Sequence, residues 1–216
     1  VQSTGKLDLF NRSAVEYVAS LAKELASYSV DALLLSSDFY YAPVEGIGPA
    51  AREQAMIDLK WVPDPRALFK KVSRGSEGPV IEKYGEYYDT WTALKRDRLL
   101  HVFDQIRNAG RSVKADLKIG IPIPVVKPVT SADKIFTQFA YDISAFRKRN
   151  SDYYWTAIEY RDIKSKQNLT YRQTMEQLSR IANSAITAVK LPDQIILALL
   201  LPVVILVSFL GGYATI

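Results

Sequence analysis

Apolar residues recur along the chain with two different spacings, and these spacings predict helices and strands in turn. After Asn11 or Ser13, either of which can cap a helix, apolar side chains recur at helical spacing from Val15 to Leu25. The next apolar run, residues 32–35, is short and ends at the polar stretch 36–38, so it predicts a strand buried on both faces. The chain therefore begins with a helix followed by a buried strand.

The same alternation continues beyond a long excursion, residues 39–90, which is rich in proline and predicts short helices over 49–59 and 65–71. The later elements predicted are a helix over 87–109 with Gly110 as its C′ residue, a strand over 117–126, a helix from Thr130 or Ser131 through Phe146, a strand over 154–160, a helix over 171–187 and a strand from 194 to about 200. Strands alternating with helices predict parallel βαβ units, an α/β fold.

The end of the chain, residues 194–216, contains no charged residue and supports two interpretations. The stretch is long enough to cross a bilayer as a helix. It is interrupted by Pro202 and Gly211-Gly212. The preceding alternation of helices and strands also predicts a strand at this point. We favour the last strand or strands of the fold and keep the membrane-spanning helix as the alternative.

The residue composition limits which catalytic reactions and metal sites the chain can support. The chain has no Cys and a single His, His101, which lies in a predicted helix. This composition excludes disulfides, thiolate chemistry and a multi-His metal centre, and no GxSxG motif accompanies the histidine. We expect no metal and no cofactor.

The formal charge of +5 invites a nucleic-acid interpretation. Most basic residues are interleaved with acidic ones, and the tight cluster Arg147-Lys148-Arg149 falls near a predicted helix end, where cations suit the helix dipole. A solvated face is the better interpretation, so no nucleic-acid partner is expected. The polar start of the chain is not a signal peptide, and we expect the chain to be the later portion of a longer polypeptide.

Candidate chemistry lies where the first strand ends. Asp38 follows the apolar run directly, and an aromatic loop with Tyr40, Tyr41 and Glu45 comes after it. A carboxylate at the carboxyl end of a buried strand is how an α/β barrel presents a site for a polar ligand. The alternative is a solvated aspartate at the end of a strand.

Two stretches resemble a known family. Residues 6–38 (KLDLFNRSAVEYVASLAKELASYSVDALLLSSD) and 118–158 (KIGIPIPVVKPVTSADKIFTQFAYDISAFRKRNSDYYWTAI) resemble the C-terminal glycoside-hydrolase domain of PgaB-type poly-β-1,6-N-acetylglucosamine deacetylases. The second stretch includes a strand followed by a P-V-x-x-P loop and the Trp-Thr-Ala-Ile start of a later strand. The resemblance covers most of residues 6 to about 200, in consistent order.

The resemblance implies that residues 1–200 are the later part of a glycosidase-like (β/α)8 TIM-type barrel, incomplete, with residues 39–90 as a long insertion after the first strand. It implies a periplasmic or other extracytoplasmic location and a polysaccharide partner, partly deacetylated poly-β-1,6-N-acetylglucosamine of a biofilm matrix. The family's deacetylase domain precedes the barrel and has no counterpart here. We expect it upstream in the same polypeptide.

The sequence departs from the family at three places. Family members carry paired Asp at the strand end, where this chain has Ser37-Asp38. A further acidic residue of the family falls on Pro43, and its Met-rich strand is replaced by the stretch from Glu159 to Asp162. The fold therefore carries over better than the chemistry.

Glycoside hydrolysis needs two carboxyl groups across the scissile bond. We predict Asp38 and Glu159 as this pair, because both lie near strand ends that converge on one barrel mouth, with Glu45 as the substitute. The alternatives are a rim ion pair of Glu159 with Arg161 or Lys164, and a solvated Glu45.

The predicted substrate-binding residues are mainly aromatic, since rings pack on the apolar faces of sugars. They are Tyr40, Tyr41, Trp91, Trp155 and Lys118. For the two tryptophans the alternative is packing in the core. The net positive charge counts against binding a cationic glucosamine polymer unless acidic side chains face the cleft.

Two functions remain open. The first is a glycoside-hydrolase-like domain that binds and hydrolyses the amino-sugar polymer. The second is a catalytically silent carbohydrate-binding or assembly module, tethered to a membrane through 194–216. Four recognisable strands are too few to close an eight-stranded barrel, so we expect exposed strand edges unless upstream residues cover them.

Overall fold

A computed structural model describes residues 7–36, 38–75, 78–124, 132–155 and 205–207. Within these residues the fold is mixed α/β, with a parallel sheet and a separate antiparallel hairpin. The strands are β1 (Ala32–Leu35), β2 (Phe69–Gly75), β3 (Gly78–Tyr84), β4 (Lys118–Pro122), β5 (Tyr153–Trp155) and β6 (Ile205–Val207). The helices are α1 (Arg12–Ala26), α2 (Pro49–Leu59), α3 (Pro65–Leu68), α4 (Tyr88–Arg111), α5 (Ala132–Phe139) and α6 (Ile143–Lys148).

The main sheet has the strand order β5-β4-β1-β6. Strand β1 is parallel to both of its neighbours, with Leu34 paired to Gly120 of β4 and to Leu206 of β6, and β4 is parallel to β5. All four carboxyl ends therefore lie along one edge of the sheet. The last of the described strands pairs with the first, so β1 has a parallel neighbour on each side.

The two faces of the sheet differ. The Cβ position of Gly110 in α4 would lie 2.7 Å from Leu117 Cδ2 and 3.9 Å from Leu33 Cδ1, so Leu33 points toward the helices. The Cβ position of Gly120 would lie 2.2 Å from Leu34 Cδ2 and 3.4 Å from Tyr153 Cβ, so these residues share the opposite face. Because side chains alternate along a strand, Ser36, Pro122 and Trp155 belong to this second face.

Helix α1 forms as the apolar spacing predicts. The Asn11 side chain accepts a hydrogen bond from the Ala14 amide at 3.2 Å and caps the helix. One stripe of α1 is buried, at Val15, Val18, Ala22 and Ala26, and packs against α4. This pair of helices covers the Leu33 face of the sheet, since Gly110 of α4 approaches both Leu33 and the Ala22 carbonyl.

Gly110 is not the C′ residue predicted from sequence. Helix α4 continues through it to Arg111, and Ser112 is the C-cap. The missing Cβ instead allows α4 to approach Leu117 and Leu33 closely. The glycine therefore serves helix-to-sheet packing rather than helix termination.

The helix predicted over 65–71 ends at Leu68, and the chain then forms the hairpin β2–β3. At its base, Phe69 and Tyr84 lie opposite each other, and both rings pack on Tyr88 of α4, with centroids 5.9 and 4.0 Å away. The pairing is irregular at Lys71. The sequence pattern did not predict this hairpin.

The single helix predicted from Thr130 or Ser131 through Phe146 is two helices, α5 and α6. Between them Ala140 has a positive φ of 52°, a left-handed conformation that ends α5. Asp142 then caps α6, its side chain accepting a hydrogen bond from the Ala145 amide at 2.9 Å. The break leaves the Phe139 carbonyl free to accept a hydrogen bond from the Tyr41 amide at 3.2 Å.

The strands predicted at 32–35, within 117–126 and at the start of 154–160 are confirmed as β1, β4 and β5. The predicted elements over 171–187 and 194–200 lie outside the described residues. Of the stretch 194–216, only Ile205–Val207 is described, and it forms strand β6. In the described ranges, no helix is long and apolar enough to span a bilayer.

Substituting Gly85 by alanine tests the base of the hairpin. The Gly85 amide donates to the Leu68 carbonyl at 2.8 Å, and an added Cβ would lie 1.7 Å from the Ala67 carbonyl oxygen. Because a backbone atom cannot move away as a side-chain tip can, we expect Gly85→Ala to lower the free energy of unfolding by roughly 2 kcal/mol or more. Urea denaturation measures it.

The matched control for this prediction is Glu86→Ala at the adjacent exposed position. This change should leave the free energy of unfolding within about 0.5 kcal/mol of the parent. A Gly85→Ala protein as stable as the control would show that the contact between the α3 segment and Gly85 is wrong.

Candidate functional site

The carboxyl edge of the parallel sheet brings three strand ends level. Leu34 pairs with Gly120 and Pro122 pairs with Trp155, so Ser36, Pro122 and Trp155 lie in one row. The Ile123 amide donates to the Trp155 carbonyl at 2.6 Å, which fixes the ends of β4 and β5 together. Two strand spacings, about 10 Å, separate the end of β1 from the end of β5. This distance is wide enough for a sugar ring between them.

Asp38 lies directly beyond the end of β1. A turn places it there, in which the Phe39 amide donates to the Ser36 carbonyl at 3.0 Å and the Tyr40 amide donates to the Asp38 carbonyl at 2.7 Å. Both carboxylate oxygens of Asp38 are buried, and neither has a hydrogen-bond partner within the described part of the protein. A buried polar group without a partner costs about 1–3 kcal/mol, and a charged group costs more.

A second carboxylate, Asp152, lies at the opposite edge of the sheet and has a contrasting environment. Its Oδ2 accepts from the Ile119 amide and from the Arg111 guanidinium, each at 2.8 Å. The Asp152 amide in turn donates to the Ile119 carbonyl at 2.9 Å. Asp152 therefore joins the amino ends of β4 and β5 and the end of α4. At this edge the carboxylate contributes to the fold, whereas Asp38 has no hydrogen-bond partner among the described residues.

Trp155, at the end of β5, resembles Asp38 in one respect. Its ring is half-buried, and its Nε1 is buried without a hydrogen-bond partner among the residues described. The hydroxyl of Tyr141, which follows the break after α5, is in the same state. Burial raises the pKa of the Tyr141 phenol well above its usual range, so the hydroxyl keeps its proton. Among the described residues, the donors of Trp155 and Tyr141 and the carboxylate of Asp38 therefore lack hydrogen-bond partners.

The two tyrosines after Asp38 are placed differently. The Tyr40 ring is half-buried and packs edge-on against Phe139, with the centroids 4.6 Å apart. Tyr41 is 5% exposed and packs on Phe10 at 5.5 Å. Burial, reinforced by the nearby charge of Asp8, raises the pKa of Tyr41 well above its usual range. Tyr40 is therefore the more accessible ring.

Glu45 is engaged by its own loop. Its Oε2 accepts a hydrogen bond from the Ala42 amide at 2.7 Å, which closes a tight turn. Gly46 follows with a positive φ of 78°, a conformation that favours glycine. The carboxylate therefore helps to shape the loop that follows Asp38 in the chain.

Lys95 of α4 binds the backbone of the same loop. It is completely buried, and its Nζ donates to the carbonyls of Ala42 at 3.2 Å and Pro43 at 3.4 Å. Burial lowers the pKa of Lys95 to about 7, although the neighbouring Glu45 opposes this shift. The side chain thus carries a marginal charge between the helix and the loop that follows Asp38.

Two further predicted site residues, Trp91 and Lys118, lie away from this edge. Trp91 is completely buried on α4 and stacks on Phe10 at 6.0 Å, the core packing that the sequence left as an alternative. Lys118 begins β4 at the amino edge, where its Nζ lies 3.8 Å from Asp152 Oδ1. Glu159 lies outside the described residues, so its pairing with Asp38 stays a prediction.

Sequence reasoning missed Lys95, although a signal exists. The residue lies on the apolar side of α4, one helical turn from both Trp91 and Leu99, where a lysine must be buried. No group of three metal-ligating side chains occurs in the ranges that the structure covers.

No protein-family model and no curated protein matches the chain. Among solved structures, the chain is similar to the PgaB (BpsB) glycoside hydrolase domain from Bordetella bronchiseptica, with a TM-score of 0.62 and 16% sequence identity. The match covers 86% of this chain and 48% of that chain, so this chain spans about half the length of its structural neighbour. At this identity the similarity shows a shared fold.

Lys95→Met tests the buried amine through its pH dependence. An unfolded chain keeps lysine near pKa 10.5, whereas the fold lowers the pKa of Lys95 to about 7. Between these values the unfolded state binds more protons, so the free energy of unfolding of the parent rises with pH across this window. We expect Lys95→Met to gain stability relative to the parent as pH falls from 10 to 6, by at least about 1.4 kcal/mol.

Denaturation curves at several pH values measure this difference. The matched control is Lys23→Met, on the exposed side of α1, which should show the same stability relative to the parent at every pH. If the advantage of Lys95→Met did not change between pH 6 and pH 10, Lys95 would titrate in the fold as it does in the unfolded chain.

Proposed function

We propose that the chain is the later portion of a glycosidase-like (β/α)8 barrel that binds and hydrolyses partly deacetylated poly-β-1,6-N-acetylglucosamine. The observation that carries the proposal is the buried, unpartnered carboxylate of Asp38 at the carboxyl edge of a parallel sheet. Sites of barrel enzymes are built at this edge, from residues that follow the strands. The shared fold with a glycoside hydrolase domain supports the same conclusion.

The chemistry of an amino sugar suits Asp38. Hydroxyl, amide and ammonium groups of the polymer all donate hydrogen bonds, and an ammonium also supplies the opposite charge that a buried carboxylate needs. A bound glucosamine unit would therefore relieve the desolvation cost that the fold leaves at Asp38. This local acidity also answers the objection raised by the net positive charge of the chain.

Hydrolysis requires a second carboxyl group, about 5–5.5 Å from the first for retention or 6.5–9.5 Å for inversion. Our proposal keeps Glu159 in this role, since it follows Trp155 and the end of β5 by a few residues. Glu45 is the weaker choice because its carboxylate already accepts a hydrogen bond from the Ala42 amide. Asp38 and Glu159 would then lie on either side of the bond to be broken.

The two half-buried rings near this edge, Trp155 and Tyr40, would stack on the sugar faces. Trp155 also offers its unpartnered Nε1–H, which can donate to a sugar hydroxyl. The proposal places the chain outside the cytoplasm, with an upstream deacetylase domain in the same polypeptide.

The second candidate function is a catalytically silent carbohydrate-binding or assembly module. It is favoured by the hydrogen-bonded state of Glu45, which leaves Asp38 as the unpartnered carboxylate of the described site. The departures from paired Asp at Ser37 and from an acidic residue at Pro43 also favour it. The two functions differ in product formation and share polymer binding.

Asp38→Asn tests the assignment of Asp38. The full chain, fused to its natural upstream sequence, is incubated with partly deacetylated poly-β-1,6-N-acetylglucosamine, and mass spectrometry detects released oligosaccharides. We expect the variant to release at least about 100-fold less product, because a catalytic carboxylate contributes at least this factor. Its free energy of unfolding should not fall below that of the parent, since among the described residues the carboxylate has no hydrogen bond to lose and its buried charge is removed.

The matched control is Asp31→Asn at the opposite end of β1, where the exposed carboxylate pairs with Lys114 at 3.1 Å. It should retain full product release. If the parent protein bound the polymer but released no oligosaccharide, the hydrolase would be excluded and the catalytically silent carbohydrate-binding module would be supported. An Asp38→Asn protein that lost more than about 1.5 kcal/mol of stability would show that the carboxylate is structural.

Trp155 variants separate ring stacking from hydrogen bonding. We expect Trp155→Ala to weaken polymer binding by about threefold to tenfold, the range for loss of one aromatic contact. Trp155→Phe should lose less, because it keeps a ring and removes Nε1. Tyr153→Ala, on the same face near the amino end of β5, is the control that should bind normally. Affinity electrophoresis in polymer-containing gels measures all three, and equal mobilities would remove Trp155 from the site.

A further inference from the structure

The hairpin β2–β3 is attached to the protein by one side of its base. The Phe69 and Tyr84 rings pack on Tyr88, whose hydroxyl donates to the Thr137 carbonyl at 2.6 Å. Further along, Val72 and Val80 are about half exposed, at 49% and 50%. A two-stranded hairpin is marginally stable alone. The aromatic base therefore holds in place a hairpin whose far end meets solvent.

The two faces of the hairpin differ in charge. On the face that carries the aromatic base, Glu82 forms an ion pair with Lys71, and hydrogen bonds from Lys71 and Ser73 lower the pKa of Glu82. This face neutralises its own charge. Alternation along each strand places a different set of residues on the opposite face.

The register is irregular around Lys71, which is paired with Lys83, but it is the same on either side, with Phe69 opposite Tyr84 and Val72 opposite Ile81. The alternation therefore holds across the irregularity, and the ion pair of Lys71 with Glu82 agrees with it. The opposite face, which we name the basic face, comprises Lys70, Val72, Arg74, Pro79, Ile81 and Lys83.

The residues of the basic face are cationic or apolar. Its three cations, Lys70, Arg74 and Lys83, are exposed, and none forms an ion pair within the described part of the chain. Cations gathered on one face without acids repel one another. An anionic partner would remove this repulsion. Val72 and Ile81 lie between the cations, so the partner also meets an apolar surface.

We propose that the basic face binds the surface of a membrane that contains anionic phospholipids. Long cationic side chains reach lipid phosphates while their stems and neighbouring apolar residues contact the boundary between headgroups and acyl chains. The alternation of Lys70, Val72 and Arg74 along one strand matches this requirement. The interaction is peripheral and needs no membrane-spanning segment.

A soluble polyanion fits the basic face less well. A nucleic acid would be bound through stacking on aromatic rings as well as through phosphates. The aromatic rings of this hairpin, Phe69 and Tyr84, lie at the other face and are occupied by Tyr88. A purely electrostatic contact would make no use of Val72 and Ile81. The mixed character of the basic face therefore favours a lipid surface.

The test is cosedimentation of the full chain with vesicles of phosphatidylcholine alone or with 30% phosphatidylglycerol, at about physiological ionic strength. We expect binding to the acidic vesicles only. Lys70→Gln/Arg74→Gln/Lys83→Gln should weaken binding by about 100-fold, since each cation near an anionic membrane contributes about 1 kcal/mol. Val72→Ser/Ile81→Ser should weaken it by about tenfold through lost apolar contact.

The control variant is Lys71→Gln, which removes one cation from the opposite face of the same strand. It should bind acidic vesicles within about twofold of the parent, and circular dichroism should show all variants folded. Loss of binding to the same degree in Lys71→Gln would overturn the assignment to the basic face. An unchanged Val72→Ser/Ile81→Ser protein, with binding fully competed by inorganic polyphosphate, would show a polyanion site instead. If the parent protein did not cosediment with acidic vesicles, the proposal would also be overturned.

Discussion

The parallel pairing of β1 with β4 and β6 is the constraint on which the rest of the structure depends. Parallel neighbours must be joined by a crossover, so the chain leaves β1 at one edge and returns through α4 to start β4 at the other. Every described strand of the sheet therefore ends at the same edge. The residues at or just beyond the strand ends, Asp38, Ile123 and Trp155, gather there because of this pairing.

The aspartates at the two ends of the sheet have opposite hydrogen-bonding environments. At the amino edge, Asp152 accepts hydrogen bonds from the Ile119 amide and from Arg111, and it joins two strands to α4. At the carboxyl edge, Asp38 has buried oxygens without partners in the described structure. A fold tolerates such a cost at few positions, and these positions are commonly binding or catalytic sites. The contrast between two aspartates of one sheet is therefore the observation on which we base the proposed role of Asp38.

The loop that follows Asp38 is held by two charged side chains that are unfavourable to bury. Lys95 donates hydrogen bonds to two carbonyls of this loop, and Glu45 accepts one from the Ala42 amide and so closes the turn. The hairpin then extends from Tyr88, at the start of α4. The same helix thus supports the loop next to the candidate site and the surface that we assign to a membrane.

The sequence by itself determined the elements with a strong local pattern. The capping Asn11, the apolar stripe of α1 and the short run 32–35 each specify their structure within a few residues, and so does the position of Asp38 after a strand. Only the tertiary structure decided the use of Gly110 in packing, the break at Ala140 and the hairpin anchored on Tyr88. These features depend on contacts between residues far apart in the chain, which a local period cannot report. The same reason separates the two aspartates: each is one acidic residue in the sequence, and only the folded neighbours leave one satisfied and the other without a partner in the described structure.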